Sequence, residues 1–177
     1  MHRNKLRNLL EKYKSEYPEE IDYKFRMLDF LNTHEDCFER SLAEGHFTGS
    51  CWLVNSDGAK FLLTLHKKIG LWLQLGGHAD GDNDLAKVAL REAHEESGLK
   101  EIELVSEDIF DIDIHLFSSL KKEVPDHYHY DVRFLLRAKE DSIQISDESD
   151  DLRWFTTPPK ENLGTGVVRM MEKWRKR

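Results

Sequence analysis

The sequence predicts an α/β fold of the α+β type, preceded by a helical extension. Three observations carry this prediction: short apolar runs of strand type, Gly- and Asp-containing turns between them, and helical spacing of apolar residues in several segments. The chain has 177 residues, of which 39% are hydrophobic and 34% are charged. This length suffices for one hydrophobic core and is short for two ordinary domains.

The first 45 residues predict two helices. Apolar residues recur with helical period in two groups, Leu6, Leu9, Leu10, Tyr13 and Tyr17, then Phe25, Leu28 and Leu31. Pro18 with Glu19 marks the break between the two helices. We therefore divide the chain into a helical extension, residues 1–45, and a main domain, residues 46–177. Two arrangements of the extension are open: it covers the sheet, or it pairs with a second subunit in a homodimer.

The strands of the main domain follow in order. Residues 49–54 and 60–66 predict a hairpin, because Asp57-Gly58 between them supplies the positive φ angles of a tight turn. Residues 71–75 predict a short strand that ends at a Gly76-Gly77 turn. Residues 127–136 alternate between polar and apolar side chains, and residues 152–155 form a last strand that Pro158-Pro159 breaks before a final helix.

The most informative helix follows the Gly-Gly turn. Its apolar positions are Leu85, Val88, Ala89 and Ala93; Asp82, Asn83 or Asp84 caps its beginning, and Gly98 ends it. Glu92, Glu95 and Glu96 stand at i, i+3 and i+4, so their carboxylates lie on one side of the helix.

Three carboxylates on one helix face repel one another, and Arg91 offsets only part of that repulsion. A hard divalent cation such as Mg²⁺ or Mn²⁺ prefers oxygen ligands and is commonly held by a few carboxylates plus substrate phosphates. The alternative is that this glutamate-rich helix end is simply solvated, as such ends usually are. The Gly-Gly turn, Arg91 and Gly98 favour a metal-dependent phosphate chemistry.

This stretch resembles the signature of the Nudix hydrolase family, G-x5-E-x7-R-E-U-x-E-E-x-G-U, in which U is apolar. The matching positions are Gly77, Arg91, Glu92, Ala93, Glu95, Glu96, Gly98 and Leu99. Asn83 stands where the pattern has its first Glu. The resemblance implies an α/β/α sandwich with a mixed sheet and Mg²⁺- or Mn²⁺-dependent attack of water on the pyrophosphate of a nucleoside diphosphate derivative.

The resemblance also implies residue roles. Glu92, Glu95 and Glu96 would bind the metal together with the backbone carbonyl of Gly76 or Gly77, and Arg91 would orient a glutamate. In the family the general base lies in the signature helix or on a distant loop, and Glu92 and Glu148 are the candidates here. Glu148 lies in the acidic loop of residues 146–151 before the last strand. In many members of the family a Glu in this loop binds the metal or acts as the general base.

Candidate substrate contacts come from the polar face of the strand at residues 127–136. That face carries His127, His129, Asp131 and Arg133 and is expected to look into a cleft. His78, directly after Gly77, is a further candidate. For the His-x-His pair the alternatives are phosphate or base contacts, solvent exposure and a zinc site, for which the sequence fixes no third ligand. The rings of Trp72, Tyr128, Tyr130 and Trp154 would either stack on a base or belong to the core.

Charge and cysteine content exclude some classes. The net charge of −8 and the pI near 5.6 argue against a membrane binder or a general nucleic-acid binder, although capped RNA stays among the candidate substrates. Cys37 and Cys51 are predicted to be reduced thiols of a cytoplasmic protein. Two functions compete with a hydrolase acting on a small nucleotide derivative: a catalytically weak nucleotide-binding or sensor protein, and an allylic-diphosphate isomerase.

Overall fold

The computed structural model describes residues 2–118 and 125–177. The helices are α1 (Asn4–Lys12), α2 (Pro18–Thr33), α3 (Leu85–Ser97) and α4 (Val167–Arg175). The strands are β1 (Gly45–Val54), β2 (Phe61–His66), β3 (Trp72–Leu73), β4 (Leu75–His78), β5 (Ile102–Leu104), β6 (Asp111–Phe117), β7 (His127–Ala138) and β8 (Ser149–Phe155). In the described part of the chain, no helix combines the length and apolar character that a membrane span requires.

The sheet is mixed, as predicted. Its main path is β3-β2-β1-β7-β5, with β4 on β1, β6 on β7 and β8 on β2. Strands β1 and β7 run parallel, and the other pairs run antiparallel. The predicted hairpin is confirmed as β1 and β2, and the alternating segment forms β7.

Consecutive β1 residues point to opposite faces of the sheet, and both faces are buried. Phe47, Cys51 and Leu53 belong to one hydrophobic cluster, which includes residues of α1, α2 and α3. Trp52 and Val54 belong to a second cluster, which includes residues of α4. The sheet therefore lies between helices, which confirms the predicted layered α+β architecture.

The N-terminal helices cover the sheet. Pro18 begins α2, where its missing N–H costs nothing, so the predicted break between the helices is confirmed. Leu6 and Leu10 of α1 and Met27 of α2 are at most 1% exposed in the first cluster. The ring of Phe30 stacks on Tyr130 of β7, with ring centroids 4.0 Å apart.

A buried ionic network fastens the last helix to the sheet. The Arg169 guanidinium of α4 donates to both carboxylate oxygens of Asp111 of β6, at 2.8 and 2.9 Å. Arg133 of β7 donates to Asp111 at 2.9 Å, and Lys173 of α4 does so at 2.8 Å. These cations hold the pKa of Asp111 down at about 2, although its burial opposes ionisation.

The expected strand over residues 71–75 differs in detail. It is divided into β3 and β4, and Gly76-Gly77 lies inside β4 instead of forming a turn. In the β1–β4 register Gly76 pairs with Ser50 and Gly77 pairs with Gly49. A Cβ atom at Gly76 would lie 2.1 Å from the Ser50 hydroxyl oxygen, so the glycine is needed for close strand approach, not for a turn.

Candidate active site

Helix α3 packs closely on β1, and this packing places its acidic end. Gly49 of β1 permits the approach, because a Cβ atom there would lie 2.7 Å from the Leu85 carbonyl oxygen. The helix begins after Asp84, whose side chain makes no capping hydrogen bond and instead pairs with Lys5 of α1 at 2.7 Å. It ends at Gly98 in the left-handed conformation, φ +69°, as the sequence predicts.

Glu92 lies directly against the backbone of β4. A Cβ atom at Gly77 would lie 2.6 Å from Glu92 Oε2, so only glycine leaves room for this carboxylate. Arg91 donates from one nitrogen, Nη2, to the His78 carbonyl oxygen at 2.9 Å and to Glu92 Oε1 at 2.8 Å. Arg91 therefore ties the Glu92 carboxylate to the strand.

Glu96 is the most buried of the three helix glutamates, at 8% exposure. Its Oε1 accepts a hydrogen bond of 2.8 Å from the Gly76 backbone N–H. Burial raises the pKa of Glu96 to about 8; the Gly76 bond opposes this shift, and the negative charges of Glu92 and Glu148 add to it. Burial likewise raises the pKa of Glu92, against the effect of Arg91.

Glu95 and Glu148 complete the acidic cluster. Glu95 is exposed near the end of α3, and Glu148 is exposed in the turn before β8. The Glu148 charge acts on the pKa of both Glu92 and Glu96, so the distant loop comes into electrostatic reach of the helix. The four carboxylates that the sequence analysis selected are thus within electrostatic reach of one another.

Arg40 is a neighbour of this cluster that the sequence analysis missed. Its guanidinium forms a two-pronged ion pair with Asp80, and its pKa is raised mainly by that pair and further by the charges of Glu92 and Glu148. Arg40 is separated from α3 by more than forty residues in a segment without regular structure. No sequence motif marks it, since only tertiary folding places it here.

The predicted histidines meet in a cluster with a fourth one, His46 of β1, which the sequence analysis also missed. The centroid of the His46 ring lies 5.0 Å from that of His78, 4.9 Å from that of His127 and 5.0 Å from that of His129. Sheet register explains the meeting, because His46 is the Cα partner of His129 in the parallel β1–β7 pair. Burial is the main reason that the pKa of His46 is lowered to about 4 and that of His129 to about 2.

Asp131 does not line an open cleft, which corrects the expected half-buried strand. Strand β7 is buried on both faces from residue 131 to residue 136, and Asp131 is 1% exposed. Its oxygens accept hydrogen bonds from Thr48, Ser50, Gln74 and Arg133 at 2.7 to 3.2 Å. These hydrogen bonds link β7 to the neighbouring parts of the sheet, so the Asp131 carboxylate has a structural role. Its burial argues against direct contact with a substrate.

The aromatic candidates divide between core and surface. Tyr130 is stacked on Phe30, and Trp72 packs edge-to-face on Phe155 with centroids 5.0 Å apart. Trp154 donates from its indole N–H to the Asp141 carbonyl oxygen at 3.0 Å. Tyr128 is 41% exposed and is the most open of the four rings.

Comparison with known proteins gives the family. The NUDIX domain family model matches residues 46–162 of the chain. A Nudix-family hydrolase from Clostridium perfringens is similar in structure, with a TM-score of 0.52 and 24% identity over 74% of this chain and 97% of that one. A MutT Nudix hydrolase from Burkholderia pseudomallei has a TM-score of 0.55 and 19% identity over 73% and 98%. A UDP-X diphosphatase, with a TM-score of 0.54 and 12% identity, covers 98% of this chain and 91% of that one.

The chain therefore belongs to the Nudix family. It is a Nudix pyrophosphohydrolase, a class of enzyme that generally uses divalent metal ions. None of the curated proteins compared matches its sequence. The match to the UDP-X diphosphatase covers 98% of this chain, whereas the other two matches cover about three quarters of it.

The residues present fit a hard divalent ion. The acidic cluster offers carboxylate oxygens from Glu92 and Glu96 beside the backbone of Gly76-Gly77, with Glu95 in electrostatic reach of both, and oxygen donors are what Mg²⁺ and Mn²⁺ prefer. Because Gly77 has no Cβ atom, the Glu92 carboxylate occupies that space, and its oxygens lie against strand β4. The negative charges of the neighbouring glutamates raise the pKa of Glu96, and a bound cation would relieve this repulsion.

Proposed function

We propose that the protein hydrolyses the pyrophosphate bond of a nucleoside diphosphate derivative with Mg²⁺ or Mn²⁺ as its cofactor. The observation that carries this proposal is the fit of α3 to β4, with Glu96 bound to the Gly76 N–H and Glu92 filling the space above Gly77. The ion would be held by Glu92, Glu95, Glu96 and the carbonyl of Gly76 or Gly77. When bound, it neutralises charge on the phosphoryl oxygens and lowers the pKa of a water molecule.

The chain's own residues position and deprotonate the nucleophile. Arg91 fixes Glu92 through its bonds to Glu92 and to the His78 carbonyl, so it is a positioning residue. Water attacks one phosphorus atom, the bond to the bridging oxygen breaks, and two phosphate-bearing products leave. The proton of the water passes to Glu92 or Glu148, the two carboxylates proposed as general base.

The substrate is proposed to be a small nucleotide derivative. His78, His127 and His129 are the proposed polar contacts. Among similar structures are a protein described as an Ap4A hydrolase and one described as an ADP-ribose pyrophosphatase, so both substrate types belong in a test. A cytoplasmic location and a homodimer remain predictions.

A substrate panel tests the proposal. Nucleoside diphosphate sugars, dinucleoside polyphosphates and capped RNA are incubated with and without Mg²⁺, and the products are identified by mass spectrometry. We expect metal-dependent release of two phosphate-bearing products from one class. Metal-dependent binding without turnover on any class would favour the sensor alternative, for which Asn83 in the signature is the supporting feature.

Glu96→Gln tests the metal assignment. The amide keeps the side-chain shape and the acceptor for Gly76, but it loses the negative charge, so the fold should persist. We expect the rate of hydrolysis to fall about 10³-fold in Glu96→Gln, because weaker metal binding would remove about 4 kcal/mol of transition-state stabilisation. Glu103→Gln, in an exposed ion pair with Lys139, is the matched control and should keep the wild-type rate. An unchanged rate in Glu96→Gln would remove Glu96 from the metal site.

A further inference from the structure

We propose that His46, His127 and His129 form a site for a divalent transition-metal ion of the zinc class, separate from the carboxylate site. Each of the three residues offers one ring nitrogen, and these nitrogens all lie within 4.8 Å of one another. Imidazole nitrogen suits Zn²⁺, Cu²⁺ and Ni²⁺, whereas Mg²⁺ prefers oxygen. This inference refines the role proposed for His127 and His129, and it does not depend on which substrate is hydrolysed.

The orientation of His127 supports a metal ligand. Its Nδ1 lies 2.8 Å from the Pro125 carbonyl oxygen, which can only accept a hydrogen bond. The ring proton is therefore on Nδ1, and the lone pair lies on Nε2, where it accepts a hydrogen bond from His129 Nε2 in the metal-free protein and can bind a metal in its place. A backbone carbonyl in this position is one of the common partners that fix the tautomer of a metal-binding histidine.

The distance between the His127 and His129 rings also supports a shared metal ion. His127 Nε2 lies 3.2 Å from His129 Nε2. Two nitrogens bound at 2.0–2.1 Å to one tetrahedral zinc ion are about 3.4 Å apart. The widest spacing in the group, up to 4.8 Å, would need to close by about 1.4 Å.

His46 supplies the independent observation. It is 1% exposed, and neither of its ring nitrogens has a hydrogen-bond partner among residues 2–118 and 125–177. Buried polar groups in folded proteins normally have partners, so an unpaired one calls for a ligand or another explanation.

The site adjoins the carboxylate site through β4. The ring of His78, which directly follows Gly77, has its centroid 5.0 Å from that of His46 and 5.3 Å from that of His129. Three histidine ligands leave one position of a tetrahedral ion open. We assign this position to His78, a water molecule or a phosphate oxygen.

Metal titration of the full chain, without a polyhistidine tag, tests the inference. The chelator-treated protein is titrated with Zn²⁺ in excess Mg²⁺, which occupies the carboxylate site, and binding is followed by calorimetry. Co²⁺ replaces Zn²⁺ in a second titration, because its visible absorption reports the number and type of ligands. We expect one Zn²⁺ per chain and a Co²⁺ spectrum of nitrogen-rich, four-coordinate type.

Variants separate the two metal sites. His127→Gln removes a half-buried ligand with little risk to folding, and Zn²⁺ affinity should fall by more than about 100-fold, since even an outer-shell partner is worth 10- to 100-fold. His34→Gln, at the end of α2, and Glu96→Gln should leave Zn²⁺ affinity unchanged. Wild-type affinity in a folded His127→Gln protein would overturn the inference, as would loss of Zn²⁺ binding in Glu96→Gln alone. Failure of the Mg²⁺-dependent hydrolysis would leave the zinc result intact.

Discussion

The contact between Gly77 and Glu92 predicts that Gly77→Ala impairs catalysis while sparing the fold. The new Cβ atom would lie 2.5 Å from Glu92 Cδ, whereas ordinary carbon contacts begin near 3.4 Å. The carboxylate must therefore move by about 1 Å, which loosens its 2.8 Å bond from Arg91. A displacement of about 1 Å at a catalytic group costs about 10²-fold in rate, or about 2.7 kcal/mol of activation free energy.

Gly49→Ala is the matched control, because it meets rigid atoms instead of a side-chain end. Its Cβ atom would lie 2.7 Å from the Leu85 carbonyl oxygen and 2.9 Å from Val88 Cβ. It should lower the free energy of unfolding by about 1–3 kcal/mol through overpacking. Gly77→Ala should change that free energy by less than 1 kcal/mol in the same urea titration. The reasoning is refuted if Gly77→Ala keeps kcat/KM and Mn²⁺ affinity, or if it unfolds as easily as Gly49→Ala.

Three further predictions concern stability. Arg169→Met should lower the free energy of unfolding by about 3–5 kcal/mol in urea, because it leaves the buried Asp111 and Glu20 carboxylates short of a cation. The lowered pKa of Asp111 predicts that its stabilising contribution, about 2 kcal/mol, is present above pH 3.8 and lost as the pH falls to about 2, which urea midpoints at pH 5 and pH 2.5 measure. Phe30→Ala should cost about 3–5 kcal/mol by removing the stack on Tyr130; a loss below 1 kcal/mol would mean that α2 contributes little to the core.

The sequence could predict the features that depend on the spacing of residues close together in the chain. The three glutamates and Arg91 of α3 follow one helical period, and Gly98 ends that helix in the left-handed conformation that glycine permits. The β1–β2 hairpin follows from a short turn between two apolar runs. In each case the residues that meet are within about twenty positions of one another, so a local sequence pattern is enough to predict their contact.

The features that sequence could not predict depend on long-range pairing. His46 meets His129 only because β1 and β7 are parallel neighbours in one particular register. The burial of Asp131 has the same origin, since its donors Thr48 and Ser50 come from the strand beside it. Alternation along β7 gave the correct side-chain directions, but it could not show that helices and loops bury both faces.

The two groups of buried carboxylates in this protein differ in how their charge is offset. At Asp111 and Asp113 the chain supplies the cations, Arg133 and Arg169, and the pKa of each carboxyl group is lowered despite burial. At Glu96 the charged neighbours that act on the carboxyl group are other glutamates, and its pKa is raised. The sequence thus neutralises acids where they serve the fold and concentrates them at the end of α3. Such an arrangement destabilises the metal-free protein, and it is consistent with a site that receives its positive charge from a bound divalent ion.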